Sequence, residues 1–225
     1  MKKALILGCS HSVGAEMSQA PGLRFDNSNQ ALDYELTHCY PAQIAQELGY
    51  TVIVNRGISG GSNDAMFRLF LEEKLTPDDI VIACWTGVNR SELYHKTWLK
   101  LCPGANVPAE ITSSYFKHWV LYSGNTEVGM LNKTKNILAL NSVAHAQDIR
   151  VINIDSFWPI SFSTGTNFAW PDTVEWPVAI DFMTWCQQHN FPYTAKVHFF
   201  KSAHDSFAEH VLENIAGRVA TTPVS

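Results

Sequence analysis

Four short apolar segments, each followed by a polar turn, constrain the fold of this chain more than any other feature. They are Ala4–Leu7, Thr51–Val54, Asp79–Trp85 and Arg150–Ile154. Nearly continuous apolar runs of this length are typical of strands buried on both faces of a parallel sheet. Helix-length stretches separate them. The alternation predicts a three-layer α/β/α sandwich with a parallel central sheet of the flavodoxin-like type.

The chain of 225 residues has no repeat and no composition shift that marks a boundary. We therefore predict one α/β domain over residues 1–225. Its inserted loops are expected at about 17–37, 90–126 and 155–177. A helix is expected to begin near Ser12, directly after the first strand. The last helix is expected from about Ser206 to Arg218.

Composition excludes several classes of protein. Hydrophobic residues make up 46% and charged residues 16%, which indicates a globular chain. The net charge of −5 comes without a basic block, so no nucleic acid partner is expected. The five cysteines contain no CxxC pair and the histidines are scattered, which favours free thiols in a reducing compartment and no metal. The N-terminal apolar run is too short for a signal peptide, and no run is long enough to span a membrane, so a cytoplasmic, soluble protein is expected.

Turns rich in glycine, serine and asparagine follow the first three predicted strands. They cover residues 8–14, 55–62 and 85–90. Because the carboxyl ends of parallel strands meet at one edge of a sheet, these turns are expected to form one site. Ser10 lies in the first turn, where the N–H groups of a helix start would face a negative charge. His204, just before the predicted last helix, can reach the same edge.

These turns resemble the sequence blocks of the SGNH (GDSL-type) hydrolase superfamily. The first block is matched by Gly8-Cys9-Ser10 with Gly14, and the second by Ile58-Ser59-Gly60. Gly87-Val88-Asn89 matches the Gly-x-Asn block, and Lys201-Ser202-Ala203-His204 stands where the family has Asp-x-x-His. The blocks occur in the family's order and span the whole chain. The overall pattern is also similar to versions from tailed bacteriophages, which implies a phage-encoded protein.

The resemblance implies a serine esterase or deacylase that hydrolyses an acyl or acetyl ester. Ser10 would be the nucleophile and His204 the base that takes its proton. The oxyanion would be held by the backbone N–H groups of Ser10 and Gly60 and by the side-chain amide of Asn89. No cofactor is implied, and the expected substrate is a small-molecule or carbohydrate ester.

The sequence departs from the family at two of these positions. Lys201 replaces the family aspartate and cannot accept a proton from an imidazole N–H. His204 would then form only a dyad with Ser10, or be oriented by a backbone carbonyl or by another acid, for which Asp155 and Asp205 are the candidates. Cys9 replaces the aspartate of the first block. It is interpreted as a packed free thiol, with a rival nucleophile at a helix start as the alternative.

Other residues leave alternatives open. His11 either contacts substrate or is an exposed loop residue, whereas His198 and His210 are interpreted as structural. The aromatic side chains of the loops at 90–126 and 155–177 either line a sugar pocket, bury a small core, or form an interface with a protein partner or a second copy. With Lys201, they motivate the alternative function, a catalytically degenerate SGNH-fold binding or structural module.

Overall fold

The computed structural model describes residues 1–95, 97–101, 126–157 and 170–221. The strands are β1 (Lys3–Leu7), β2 (Val52–Asn55), β3 (Ile80–Trp85), β4 (Ser91–His95), β5 (Thr97–Leu101) and β6 (Arg150–Asp155). The α-helices are α1 (Ser28–His38), α2 (Tyr40–Glu47), α3 (Asn63–Glu72), α4 (Thr126–His145), α5 (Phe182–Gln188) and α6 (Lys201–Thr221). A short 3₁₀ helix covers Met17–Gln19.

The central sheet has the strand order β2-β1-β3-β6, and every neighbouring pair is parallel. This confirms the α/β fold with a parallel sheet. The order reverses between β1 and β3, because the chain leaves β1 to form β2 on one side and returns to form β3 on the other. In open α/β sheets such a switch point opens a crevice at the carboxyl ends of the strands, where ligands bind. Ser10 follows β1 and Asn89 follows β3, so both lie at this crevice.

Alternate residues of the central strands face two separate cores. In β1, Ala4 and Ile6 pack into one core, and Leu5 and Leu7 pack into the other. The first core includes residues of α2, α5 and α6, whereas the second includes residues of α3 and α4. Because side chains alternate across a strand, an apolar residue at every position is what a sheet covered on both faces requires.

The connections differ from the sequence predictions. The α-helix expected from Ser12 is wrong, because residues 10–16 form successive turns that end at the 3₁₀ helix. The expected loop at 17–37 contains most of α1, and the one at 90–126 begins with the antiparallel β4–β5 hairpin. The last helix begins at Lys201, earlier than predicted. Residues 102–125 and 158–169 of the predicted aromatic loops lie outside the described residues.

Within the described parts of the chain, no helix combines the length and apolar character needed to cross a bilayer.

Candidate active site

Ser10 lies in a compact turn directly beyond the carboxyl end of β1. The turn is closed by bonds to the Cys9 carbonyl from the Ser12 hydroxyl, at 2.7 Å, and from the Ser12 N–H, at 3.1 Å. The Ala15 N–H donates to the Ser10 carbonyl at 2.9 Å, and Gly14 supplies a left-handed residue with φ of 67°. The Ser10 hydroxyl and N–H make no hydrogen bond to any described residue. The turn therefore fixes the backbone of Ser10 and leaves its hydroxyl and N–H without a partner among the described residues.

Gly60 and Asn89 provide two further hydrogen-bond donors after β2 and β3. Gly60 has φ of 72°, a conformation that glycine adopts without strain. In the described structure, neither the Gly60 N–H nor the Asn89 side-chain amide has a protein partner. Helix α4 backs the Asn89 turn, since a side chain at Gly129 would collide with the Val88 carbonyl. The three donors predicted for the oxyanion thus belong to adjoining turns and are all unused.

His204 lies in the first turn of α6 and inside a core, with 1% of its surface exposed. Its Nδ1 accepts a hydrogen bond from the Tyr40 N–H at 3.1 Å. Its ring packs against Tyr40 and Phe182, with centroids 5.8 and 4.8 Å away. Burial lowers the pKa of His204 to about 3, although hydrogen bonding with the Phe199 backbone opposes the shift. Among the described residues, no hydrogen bond joins His204 to Ser10.

His198 is carried by a tight hairpin that precedes α6. Tyr193 and Phe199 form an antiparallel bridge, and the Thr194 N–H donates to the His198 carbonyl at 2.8 Å. Val197, immediately before the histidine, has φ of 61°. A left-handed β-branched residue is strained, and such strain persists where the surrounding structure imposes it. The hairpin therefore holds His198 in a defined position, with its ring centroid 5.2 Å from that of His11.

Glu16 is the acid partner of His198. Its Oε2 lies 3.2 Å from His198 Nδ1, at ion-pair distance but without the alignment of a hydrogen bond. The Thr194 hydroxyl donates to the same oxygen at 2.6 Å, and Lys196 Nζ lies 2.8 Å from Oε1. Burial alone would raise the pKa of Glu16, but hydrogen bonds from Lys196 and Thr194, together with the nearby His198, lower it to about 2. Glu16 is itself left-handed, with φ of 66°, so both members of the pair adjoin strained backbone.

His11 is buried beside Ser10 and is not the exposed loop residue that was one of its predicted alternatives. It is 3% exposed, and its ring lies 4.7 Å from Phe157 and 5.2 Å from His198 between centroids. Its buried Nδ1 has no hydrogen-bond partner. Burial, together with electrostatic interactions with His198, His204 and Arg90, lowers the pKa of His11 well below its usual value. A neutral ring therefore lies beside the turn that carries Ser10.

The two acids predicted to orient His204 have other partners. Asp155 lies at the end of β6 and forms a buried ion pair with Lys133, at 2.5 Å. Asp205 accepts from Lys201 at 2.7 and 2.8 Å and from Gln43 at 3.0 Å. Cys9 is fully buried, as expected of a packed thiol. Across the described ranges, no three or more His, Cys, Asp or Glu residues are grouped so as to hold a metal ion.

Sequence reasoning missed His198 because it placed the start of the last helix too late. The residues Phe199, Ala203, Phe207 and Val211 are all buried and recur every four positions. This spacing is typical of the inner face of a helix and extends back to the observed start of α6. With that boundary, the histidine just before the helix is His198. No local signal identifies Glu16, because it meets His198 from the opposite end of the chain.

The fold is that of the G-D-S-L hydrolases. A structure of a member of the lipolytic G-D-S-L protein family from Veillonella parvula DSM 2008 has a TM-score of 0.50 and 11% identity, covering 95% of this chain and 97% of that one. The structure of TesA has a TM-score of 0.50 and 14% identity, covering 95% and 98%. A family of unknown function, DUF6071, matches residues 17–116. No curated protein sequence matches the chain. At sequence identities of 11% and 14%, these similarities show the fold alone.

Proposed function

We propose that this protein is a serine ester hydrolase in which Ser10 is the nucleophile, His198 the general base and Glu16 the acid that orients it. One observation carries the proposal. The ring of His11, the residue that follows Ser10, packs against His198, and Nδ1 of His198 lies 3.2 Å from the Glu16 carboxylate. A nucleophile loop, an imidazole and an acid that lie next to one another in this order are the elements of a serine hydrolase triad.

In the proposed reaction, Ser10 Oγ attacks the ester carbonyl carbon and gives its proton to His198 Nε2. The tetrahedral intermediate then collapses, the C–O bond to the alcohol breaks, and His198 returns the proton to the leaving oxygen. Water attacks the acyl-enzyme with the same help, releasing the acid and free Ser10. Glu16 accepts the Nδ1–H and stabilises the imidazolium formed in each half of the reaction.

The unused donors support the same proposal. The N–H groups of Ser10 and Gly60 and the amide of Asn89 would bind the oxyanion, and removing one such donor typically lowers the rate about 10²–10³-fold. Ser10 is not hydrogen-bonded to His198 in the free protein. Catalytic hydrogen bonds often tighten only when substrate binds, so this geometry is compatible with the role. Among the histidines considered, His198 suits it better than His204, whose Nδ1 is occupied by the Tyr40 N–H.

The test is hydrolysis of 4-nitrophenyl esters of short acids by Ser10→Ala and by a matched control, Ser12→Ala. Ser12 lies in the same turn, but its hydroxyl is bound to the Cys9 carbonyl. We expect Ser10→Ala to abolish hydrolysis and Ser12→Ala to retain it in proportion to its folded fraction. Equal activity in wild type and Ser10→Ala would overturn the mechanism. No turnover of any ester by wild type would favour the binding module instead.

A further inference from the structure

Arg90 is a half-buried cation that directly follows Asn89 at the carboxyl end of β3. Its Nη1 donates to the Thr86 hydroxyl at 2.8 Å and approaches the Gly61 carbonyl at 3.5 Å. Its guanidinium lies over the Phe157 ring, 5.0 Å from the centroid. These contacts hold the group in place through one nitrogen and one face. Nε and Nη2 donate to no described residue.

No carboxylate neutralises Arg90 within the described structure. The acid nearest to it in sequence, Glu92, is bound to Arg68 through two hydrogen bonds of 2.9 and 3.1 Å. By contrast, Arg150 is matched by Glu175 at 2.8 Å. An arginine carries five donors in a planar fork that fits a carboxylate or a phosphate. Among the described residues, the charge of Arg90 and most of its fork therefore have no partner, in a protein whose net charge is −5.

The position of Arg90 borders the proposed reaction site on two sides. Gly61, which it approaches, adjoins the proposed oxyanion donor Gly60. Phe157, which it covers, lies 4.7 Å from the ring of His11 between centroids. His11 in turn follows the nucleophile. The cation also acts on His11 through space, as one of the charges that lower the pKa of that buried ring.

We propose that Arg90 binds an anionic group of the substrate, so that this enzyme prefers esters that carry a carboxylate or a phosphate close to the scissile bond. This rests on the proposed ester hydrolase function and adds the charge of its substrate. The anion takes the place of the carboxylate partner that Arg90 lacks among the described residues. It also accounts for a cation beside a site lined by aromatic rings and turns.

Two matched substrate pairs test the proposal and locate the charge. Mono-4-nitrophenyl glutarate against 4-nitrophenyl pentanoate places the anion on the acyl group. 4-Acetoxybenzoate against its methyl ester places it on the leaving alcohol. The kcat/KM ratio of anionic to neutral substrate is measured for wild type, Arg90→Gln, Arg90→Lys and Arg24→Gln. Arg24 is an exposed arginine and serves as the control for loss of one positive charge.

For at least one pair, we expect Arg90→Gln to lower the ratio about 10- to 100-fold, which is the range of a hydrogen bond to a charged group. The lower ratio should come mainly from a higher KM for the anionic substrate. Arg90→Lys should recover part of the ratio, and Arg24→Gln should leave the ratio unchanged. A purely structural role would lower both members of a pair equally. Unchanged ratios in Arg90→Gln for both pairs would overturn the proposal.

Binding of the anions themselves separates this proposal from the proposed function. Titration calorimetry with glutarate and with 4-hydroxybenzoate needs no turnover. We expect at least one to bind wild type more tightly than Arg90→Gln by the same 10- to 100-fold. If the esters are not hydrolysed but this difference holds, the hydrolase function fails and the anion site stands. Equal binding of both anions to the two proteins would refute the anion site, even in an active hydrolase.

Discussion

His198 and His204 are close in sequence, but the fold gives them opposite chemistry. The side chain of His198 is 15% exposed, stands on a strained hairpin and faces a carboxylate. His204 is 1% exposed, belongs to a helix and accepts a backbone hydrogen bond through Nδ1. A general base must accept a proton and then hold the resulting charge. His198 has the Glu16 carboxylate 3.2 Å from its Nδ1, whereas burial lowers the pKa of His204 to about 3.

The difference shows that a histidine in the right block of sequence is a weak indicator of catalysis. Neighbours determine whether an imidazole can be charged, since an opposite charge favours the protonated form and burial disfavours it. The partner of His198 comes from the turn segment that also carries Ser10. The proposed nucleophile and the proposed acid therefore lie near one end of the chain, and the proposed base lies near the other.

The largest effect is expected from Glu16→Gln, which removes the carboxylate that distinguishes the surroundings of His198 from those of His204. The amide keeps the shape of the side chain but removes the charge that would stabilise the imidazolium. We expect kcat for ester hydrolysis to fall about 10²–10⁴-fold, with little change in KM. Glu35→Gln is the control, because Glu35 binds Ser18 in the same region and has no role in the site. Full activity in Glu16→Gln would remove Glu16 from the mechanism.

The stability of the same variant at low pH tests the lowered pKa of Glu16. The pKa of Glu16 is about 2 in the folded protein, against 4.5 as its ordinary value. As the pH falls from about 4.5 towards 2, the unfolded chain takes up this proton first, so wild type loses stability. Glu16→Gln should lose less, as measured by urea unfolding at pH 5, 4 and 3. Parallel losses in the two proteins would contradict the carboxylate's lowered pKa.

The lowered pKa of His204 is tested by the stability of the protein between pH 7 and 5. Its pKa is about 3 in the fold, against 6.5 as its ordinary value, so only the unfolded chain gains its proton between those values. The free energy of unfolding should therefore fall with falling pH from 6.5, by up to about 1.4 kcal/mol per pH unit for this group. His204→Gln, which keeps an acceptor for the Tyr40 N–H, should show a shallower fall between pH 7 and 5.

An exposed histidine provides the control for that slope. His145→Gln should leave the fall unchanged, and His11, which is also held neutral by burial, should maintain a residual slope in His204→Gln. In wild type, the NMR signals of the His204 ring should remain those of a neutral imidazole down to pH 4. Titration of these signals near 6.5 would contradict the burial argument directly.

The sequence was sufficient to predict the sheet and the three turns at its edge. Strands buried on both faces leave a strong apolar signal, and the left-handed Gly60 is a position at which glycine is informative. The proposed catalytic histidine was harder to predict, since the prediction depended on where a helix begins. Helix starts are poorly marked when no capping residue stands out. The approach of Glu16 to His198 depends on tertiary packing and on two strained residues, neither of which has a local pattern.

The central claim is that Ser10 is activated by His198 and not by His204. The most direct measurement is the rate at which a fluorophosphonate labels Ser10, followed by intact-protein mass spectrometry with peptide mapping, in wild type, His198→Gln and His204→Gln. Circular dichroism confirms that each variant is folded. We predict that wild type and folded His204→Gln react at similar rates, and that His198→Gln reacts at least about 100-fold more slowly. Labelling of His198→Gln at the wild-type rate, with loss of labelling in folded His204→Gln, would contradict the claim.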